Sequence, residues 1–194
     1  MILAAQAGGN GIRNDMAKRS VLRVAFICCV FSFPCFAQTK SGPPVPYVDK
    51  GACPFECCTY REWNVIKPTL VRASMSDTAP ISFRLKAGEK VFGMTGVVIT
   101  TRPGIMRAIK AASIGEKDLP IRKGEQFYVL TNLGEGFAKV WFKGKIFQGE
   151  PYDDSRFEFM RQAKSIWWVK VKNRAGRIGW SRQAENFGNM DECG

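Results

Sequence analysis

The residues best equipped for chemistry in this 194-residue chain are its cysteines and a few clustered carboxylates, and no histidine is present to assist either group. Without imidazole there is no Ser-His or Cys-His nucleophile pair and no His-ligated zinc, which excludes most hydrolase mechanisms. The carboxylates worth weighing are Glu150, Asp153 and Asp154, in one segment, GEPYDD. Paired carboxylates cleave glycosidic bonds in wall-active enzymes, but acidic residues in such a segment ordinarily serve as turn or cap groups. No catalytic residue, metal site or cofactor is assigned.

Seven cysteines divide into two groups. Cys28, Cys29 and Cys35 lie in an apolar N-terminal stretch, whereas Cys53, Cys57, Cys58 and Cys193 belong to the remainder. Four cysteines in an exported domain imply two disulfides. A bond between the adjacent Cys57 and Cys58 needs a strained ring, so Cys53 pairs with one of them and Cys193 with the other, in either order. Both solutions tie the last residues to the start of the domain. The spacing of Cys53, Cys57 and Cys58 is not the C-x-x-C of redox motifs, and no βαβ pattern surrounds it.

The export assignment rests on residues 16–37, where Lys18, Arg19 and Arg23 precede an apolar run and a Cys35-Phe36-Ala37 ending. This is the three-part layout of a secretory signal, with cleavage expected after Ala37 and no stable transmembrane span afterwards. Residues 1–15 carry no pattern and are read as unstructured, or as lying upstream of a true initiator at Met16. Residues 38–50, with paired prolines in TKSGPPVP, are expected to form a linker. The expected destination is the periplasm or the medium.

The elements that must position these groups are strands. Period-two alternation marks 81–85, 97–101, 127–130 and 167–172, and glycine-rich turns separate the runs. The clearest hairpin is Trp167-Trp168-Val169-Lys170-Val171-Lys172, a turn ending at Gly176, and Arg177-Ile178-Gly179-Trp180. Alternation puts Trp167, Val169 and Val171 on the core face and leaves Trp168 outside with Lys170 and Lys172. An internal echo aligns Leu85-Lys86-Ala87-Gly88-Glu89 with Ile121-Arg122-Lys123-Gly124-Glu125 and the strands that follow. It implies two small barrels or one barrel with a duplicated element. Units are expected at 51–106, with the cysteine cluster, and at 107–194, with the tethered tail. Minor helical connections are expected at 105–113 and 154–164.

A Gly-Glu turn entering a strand, followed by Trp-Trp-Val-Lys-Val, a glycine turn and Gly-Trp, resembles the bacterial SH3-like (SH3b) domain over about residues 63–182. The segment 51–63 also resembles uncharacterised envelope proteins that carry such a domain. The resemblance implies an all-β fold of one or two SH3-like barrels. It further implies a binding module for cell-wall peptides or envelope proteins, with aromatics in a groove beside the first long loop. The hairpin match carries that role to Trp168, with Tyr128 and Trp141 as further candidates. Because Trp167 points inward, the proline-peptide mode of eukaryotic SH3 domains is not carried over.

Net charge is +12, and residues after Ala37 keep 25 basic against 16 acidic groups, a net of +9. Such a field favours anionic surfaces, and export argues against nucleic acid as the partner.

Overall fold

The protein's structure, a computed structural model, describes residues 42–115 and 118–193. The expected signal at 16–37, its cleavage after Ala37 and the reading of residues 1–15 lie outside the described residues.

Strands dominate, and there is no α-helix among the described residues. In chain order they are β1 (Tyr47–Lys50), β2 (Glu62–Val65), β3 (Thr69–Arg72), β4 (Ile81–Leu85) and β5 (Lys90–Arg102). Then come β6 (Gly104–Ala108), β7 (Ala112–Ile114), β8 (Leu119–Ile121), β9 (Gln126–Gly134) and β10 (Phe137–Phe142). The last five are β11 (Lys145–Gly149), β12 (Phe157–Arg161), β13 (Lys164–Asn173), β14 (Ile178–Ser181) and β15 (Phe187–Gly188), with a 3-10 turn at Ala184–Asn186 before β15.

Two larger sheets emerge. The first, an eight-stranded curled half-barrel, has the order β15-β2-β5-β13-β14-β3-β4, with β1 added against β5. The second has the order β11-β10-β9-β6-β12, and β7 and β8 form a separate hairpin. The run β15-β2-β5-β13-β14 and the run β12-β6-β9-β10-β11 share one pattern. In each, an early strand pairs with the strand after the Gly-Glu turn, that strand pairs with the next hairpin, and the last strand returns to the early one.

The echo in sequence is an echo in geometry. Gly88 and Gly124 both have φ of +86°, where a side chain is disfavoured and glycine is not. Each turn is closed by the backbone N–H of the following Glu donating to the carbonyl of the basic residue, Glu89 to Lys86 at 3.2 Å and Glu125 to Arg122 at 3.0 Å. In each, the glycine N–H donates to the end of the early strand at 2.8 Å, at Val65 and at Ala108. The reciprocal bonds, Val65 to Glu89 and Ala108 to Glu125, are both 2.9 Å.

Each sheet curls around its own core. Trp63, Val71, Phe83, Leu85, Val169, Val171 and Phe187 fill the first, and Met106, Ile121, Phe127, Val140 and Phe157 the second. Trp63 lies flat on the β5 backbone, since a Cβ on Gly93 would sit 2.5 Å from its indole. The sheets meet through a buried Asp49 on β1, whose carboxylate receives Lys139 of β10 at 2.7 Å, and through Thr100, which donates to the Leu130 carbonyl at 2.6 Å.

Four expectations need correction. Residues 105–113 and 154–164 are not helical: β6 and β12 occupy them and pair with each other, Phe157 opposite Ala108. The linker expected at 38–50 ends early, because Tyr47–Lys50 pairs with residues 97–100. The hairpin of β13 and β14 was expected in the second unit, yet it belongs to the first sheet, pairing with β5 and β3. The five-stranded sheet is thus nested between β5 and β13, and the two units are not consecutive along the chain.

Candidate functional site

The cysteines build the entrance to the site. Cys53 bonds Cys58 and Cys57 bonds Cys193, with Cα–Cα separations of 5.5 and 5.8 Å, one of the two pairings the sequence allows. Hydrogen bonds reinforce the second bridge: Thr59 N–H donates to the Met190 carbonyl at 2.8 Å and Glu192 N–H to the Cys57 carbonyl at 3.0 Å. Arg61 binds the same tail through the Asn189 carbonyl at 3.1 Å and Oδ1 at 2.9 Å, and through the Asp191 carbonyl. A carboxylate oxygen of Asp191 lies within 4.8 Å of the Cys57 and Cys193 sulfurs, but those sulfurs are joined to each other and offer no thiolate.

The clip sets Phe55 edge-on to Trp167, ring centres 5.9 Å apart, and turns the Ala52 carbonyl toward the Trp167 indole N–H, which donates to it at 3.1 Å. The Tyr60 hydroxyl donates to the same carbonyl. Burial pushes the Tyr60 phenol up to about 12, partly offset by its hydrogen bond with Trp167. Gly96 makes this possible, because any Cβ there would strike both the indole nitrogen and the phenol oxygen.

Trp167 packs against the first core, as alternation requires. Trp168 points to the other face but is only 3% exposed, which corrects the expectation that it stands outside with Lys170 and Lys172. The alternation is right; the face is not open at this point. Residues of β3 and of the turn after β14 line one cleft with the start of β13, while Lys172 further along stays exposed.

Trp168 therefore forms part of the wall of a cleft of about 830 Å³. Leu70 and Arg72 of β3, Asp77 of the β3–β4 loop, the segment 165–168 and residues 181–185 surround it, with Phe55 and Met190 at the cysteine clip. Its rim carries charge of both signs: Arg182 pairs with Asp77, and Arg72 donates to the Ala79 carbonyl at 2.8 Å, bracing the loop. Gln183 accepts from Leu70 N–H at 3.1 Å, locking the turn after β14 onto β3.

The cleft continues toward the second sheet. Ser165 and Trp167 also line a cavity of about 150 Å³, and Ser165, Ala163, Asn132 and Val129 are common to that cavity and one of about 390 Å³ beyond. Along this path Thr131 is 2% exposed and its hydroxyl has no partner, and the Arg161 Nε–H is likewise buried and unpaired. Buried polar groups without partners are rare in folded proteins.

The second sheet has a counterpart cleft of about 230 Å³ in the equivalent place, lined by Ser113 of β7, Asp118, Phe137 at the start of β10, Gly149 at the end of β11 and Glu150 after it. The 36-residue offset of the echo, followed through the strand pairings, puts Phe137 where the first sheet has Trp167: Phe137 pairs with Gly134 as Trp167 pairs with Val98. Arg156 crosses this smaller cleft to Glu150 at 3.1 Å and Asp153 at 2.6 Å. The Asp153 carboxyl is held below its ordinary range by the Ser155 hydroxyl and Arg156, the opposite of what a general acid requires. Asp154 is exposed.

Tyr128 and Trp141 are neighbours across β9 and β10, in a T-shaped pair 5.5 Å apart. Neither lines any of the clefts described, so the structure does not bring them together with Trp168. The sequence reading missed Phe55, Trp180 and Phe92. Trp180 lies opposite Lys170, whose ammonium stands 5.6 Å from the indole, and Phe92 lies opposite Lys172 at 5.8 Å. Counting back from the Gly176 turn would have paired Lys170 with Trp180; nothing local marks Phe55 or Phe92.

No protein-family model matches the chain, and neither does any curated protein or solved structure.

Proposed function

We propose that the chain is a non-catalytic binding module, exported to the periplasm or the medium, in which one SH3-like barrel is inserted into another and the larger cleft holds the ligand. The ligand is cell-wall polymer or a protein partner in the envelope. Export is supported by two disulfides, which persist in oxidising compartments, and no helix among the described residues is long and apolar enough to cross a membrane. The SH3-like reading is supported by the repeated strand order with its Gly-Glu turn.

The observation that carries the function is the asymmetry between equivalent clefts. The one bordered by Trp167 and Trp168 is open at about 830 Å³, whereas its counterpart is small and crossed by the Arg156 ion pairs. Concave sites with apolar walls and a few oriented polar groups are where proteins hold ligands. A site of this shape, with the Arg182–Asp77 pair on its rim, suits an extended chain with polar groups along its length.

Co-sedimentation with purified peptidoglycan sacculi, alongside chemical crosslinking in intact envelopes, tests the site. Leu70→Asp and Glu185→Lys are expected to abolish retention or crosslinks, with Tyr128→Ala and Trp141→Ala behaving as wild type. Unchanged association of both cleft variants in both assays would refute the assignment.

A further inference from the structure

On the outer face of the first sheet, further along β13 from the cleft, a second surface combines cations and exposed apolar groups. Phe92 and Met94 of β5 and Ile178 of β14 are 49%, 38% and 42% exposed. They stand beside Lys170 and Lys172 of β13 and the half-buried Trp180 of β14, in continuous register: Phe92 opposite Lys172, and Lys172 opposite Ile178. Exposed apolar side chains interleaved with cations on one sheet face mark an interaction surface.

At the end of this face, between the Gly88 turn and the Gly176 hairpin, is a concavity of about 500 Å³ lined by Arg84, Lys90, Arg174 and Arg177 with one carboxylate, Glu89. Lys90 is paired with Glu62 at 2.5 Å. Arg84, Arg174 and Arg177 form no ion pair among the described residues, and all three are exposed. Guanidinium groups present planar donors that match phosphate oxygens.

We propose that this face docks the protein on an anionic phospholipid bilayer, the arginine concavity taking lipid phosphates and Phe92, Met94 and Ile178 entering the interfacial layer. Charge complementarity identifies the anion, and the apolar side chains identify the bilayer, since a hydrated polyanion offers them no apolar phase. Single-stranded nucleic acid would stack its bases on open aromatic faces, but Lys170 and Lys172 already stand over Trp180 and Phe92.

Vesicle co-sedimentation tests this with one protein preparation, so that every variant carries the same N-terminus. Wild type is expected to partition far more strongly onto phosphatidylglycerol-containing vesicles than onto pure phosphatidylcholine. At about a factor of five per cation near the surface, Arg84→Gln/Arg174→Gln/Arg177→Gln should lose roughly a hundredfold of that partitioning. Phe92→Ser/Ile178→Ser should lose roughly tenfold. Urea midpoints matching wild type establish that the variants are folded, and further single substitutions replace any that are not. Equal partitioning onto neutral vesicles overturns the proposal, as does wild-type behaviour of the apolar pair. Release by millimolar glycerol phosphate or by single-stranded DNA, with the apolar pair silent, reassigns the surface to soluble polyanions and also overturns it.

Discussion

Replacing Cys57 and Cys193 together by serine opens a loop spanning 136 residues, whereas replacing Cys53 and Cys58 opens one spanning 5. In the chain-entropy treatment the long bridge contributes about 5 kcal/mol and the short one about 2 kcal/mol, a difference of about 3 kcal/mol. Most of the long bridge's effect acts on the unfolded chain. The folded tail keeps its backbone bonds from Thr59 to Met190 and from Glu192 to Cys57, and its contacts with Arg61. The Cys57→Ser/Cys193→Ser protein should therefore retain wild-type near-ultraviolet circular dichroism while unfolding at much lower urea. Its m-value should rise as the unfolded chain expands. Urea titrations of both double variants, followed by tryptophan fluorescence, provide the comparison. Equal losses, or a greater loss from the short loop, would refute the entropic account. The bridges would then act by holding Phe55 and Ala52 against Trp167.

Three further outcomes follow from particular contacts. Gly88→Ala and Gly124→Ala force a side chain into the same left-handed geometry and should each cost about 1–2 kcal/mol in urea unfolding, nearly equally because the turns are equivalent. Lys139→Met leaves the Asp49 carboxylate buried without its cation and should cost about 2 kcal/mol; adding Asp49→Asn should recover part of this, giving a coupling of opposite sign to the single losses. Tyr60 has a folded pKa of about 12 against an ordinary 10.0, so the unfolded chain loses its proton first. Its stabilisation is complete below pH 10 and declines as the pH rises to 12, a decline that should be shallower in Tyr60→Phe when urea midpoints are compared across that range.

Much of the fold was legible because strand alternation is local. The strand at Ile81–Leu85 appears with the expected limits, and the Gly88 and Gly124 turns repeat in three dimensions as they do in sequence. The helical expectation for 105–113 failed because alanines and isoleucines suit either period, and pairing with β9 and β12 decided between them. In 154–164 the Phe157-Glu158-Phe159 alternation was the better signal for a strand, although of the two phenylalanines only Phe157 is buried. The site was half legible. Alternation separated Trp167 from Trp168 correctly, but the residues that share the cleft with Trp168 come from β3 and from 181–185, and no spacing rule reports such distant neighbours. The cysteine arithmetic held because covalent geometry restricts the choices so severely.

The nesting of one sheet inside the other has a consequence for how such a protein can be assembled and edited. Arg102, where the chain leaves β5, and Lys164, where it re-enters as β13, are direct cross-strand partners. Everything between them is a parenthesis whose two ends already touch, so a short hairpin connection could close the gap and leave the host strands in register. During synthesis the same arrangement imposes a queue: β5 must wait with an unsatisfied edge until the whole intervening sheet has emerged, and the enclosed body is able to finish first.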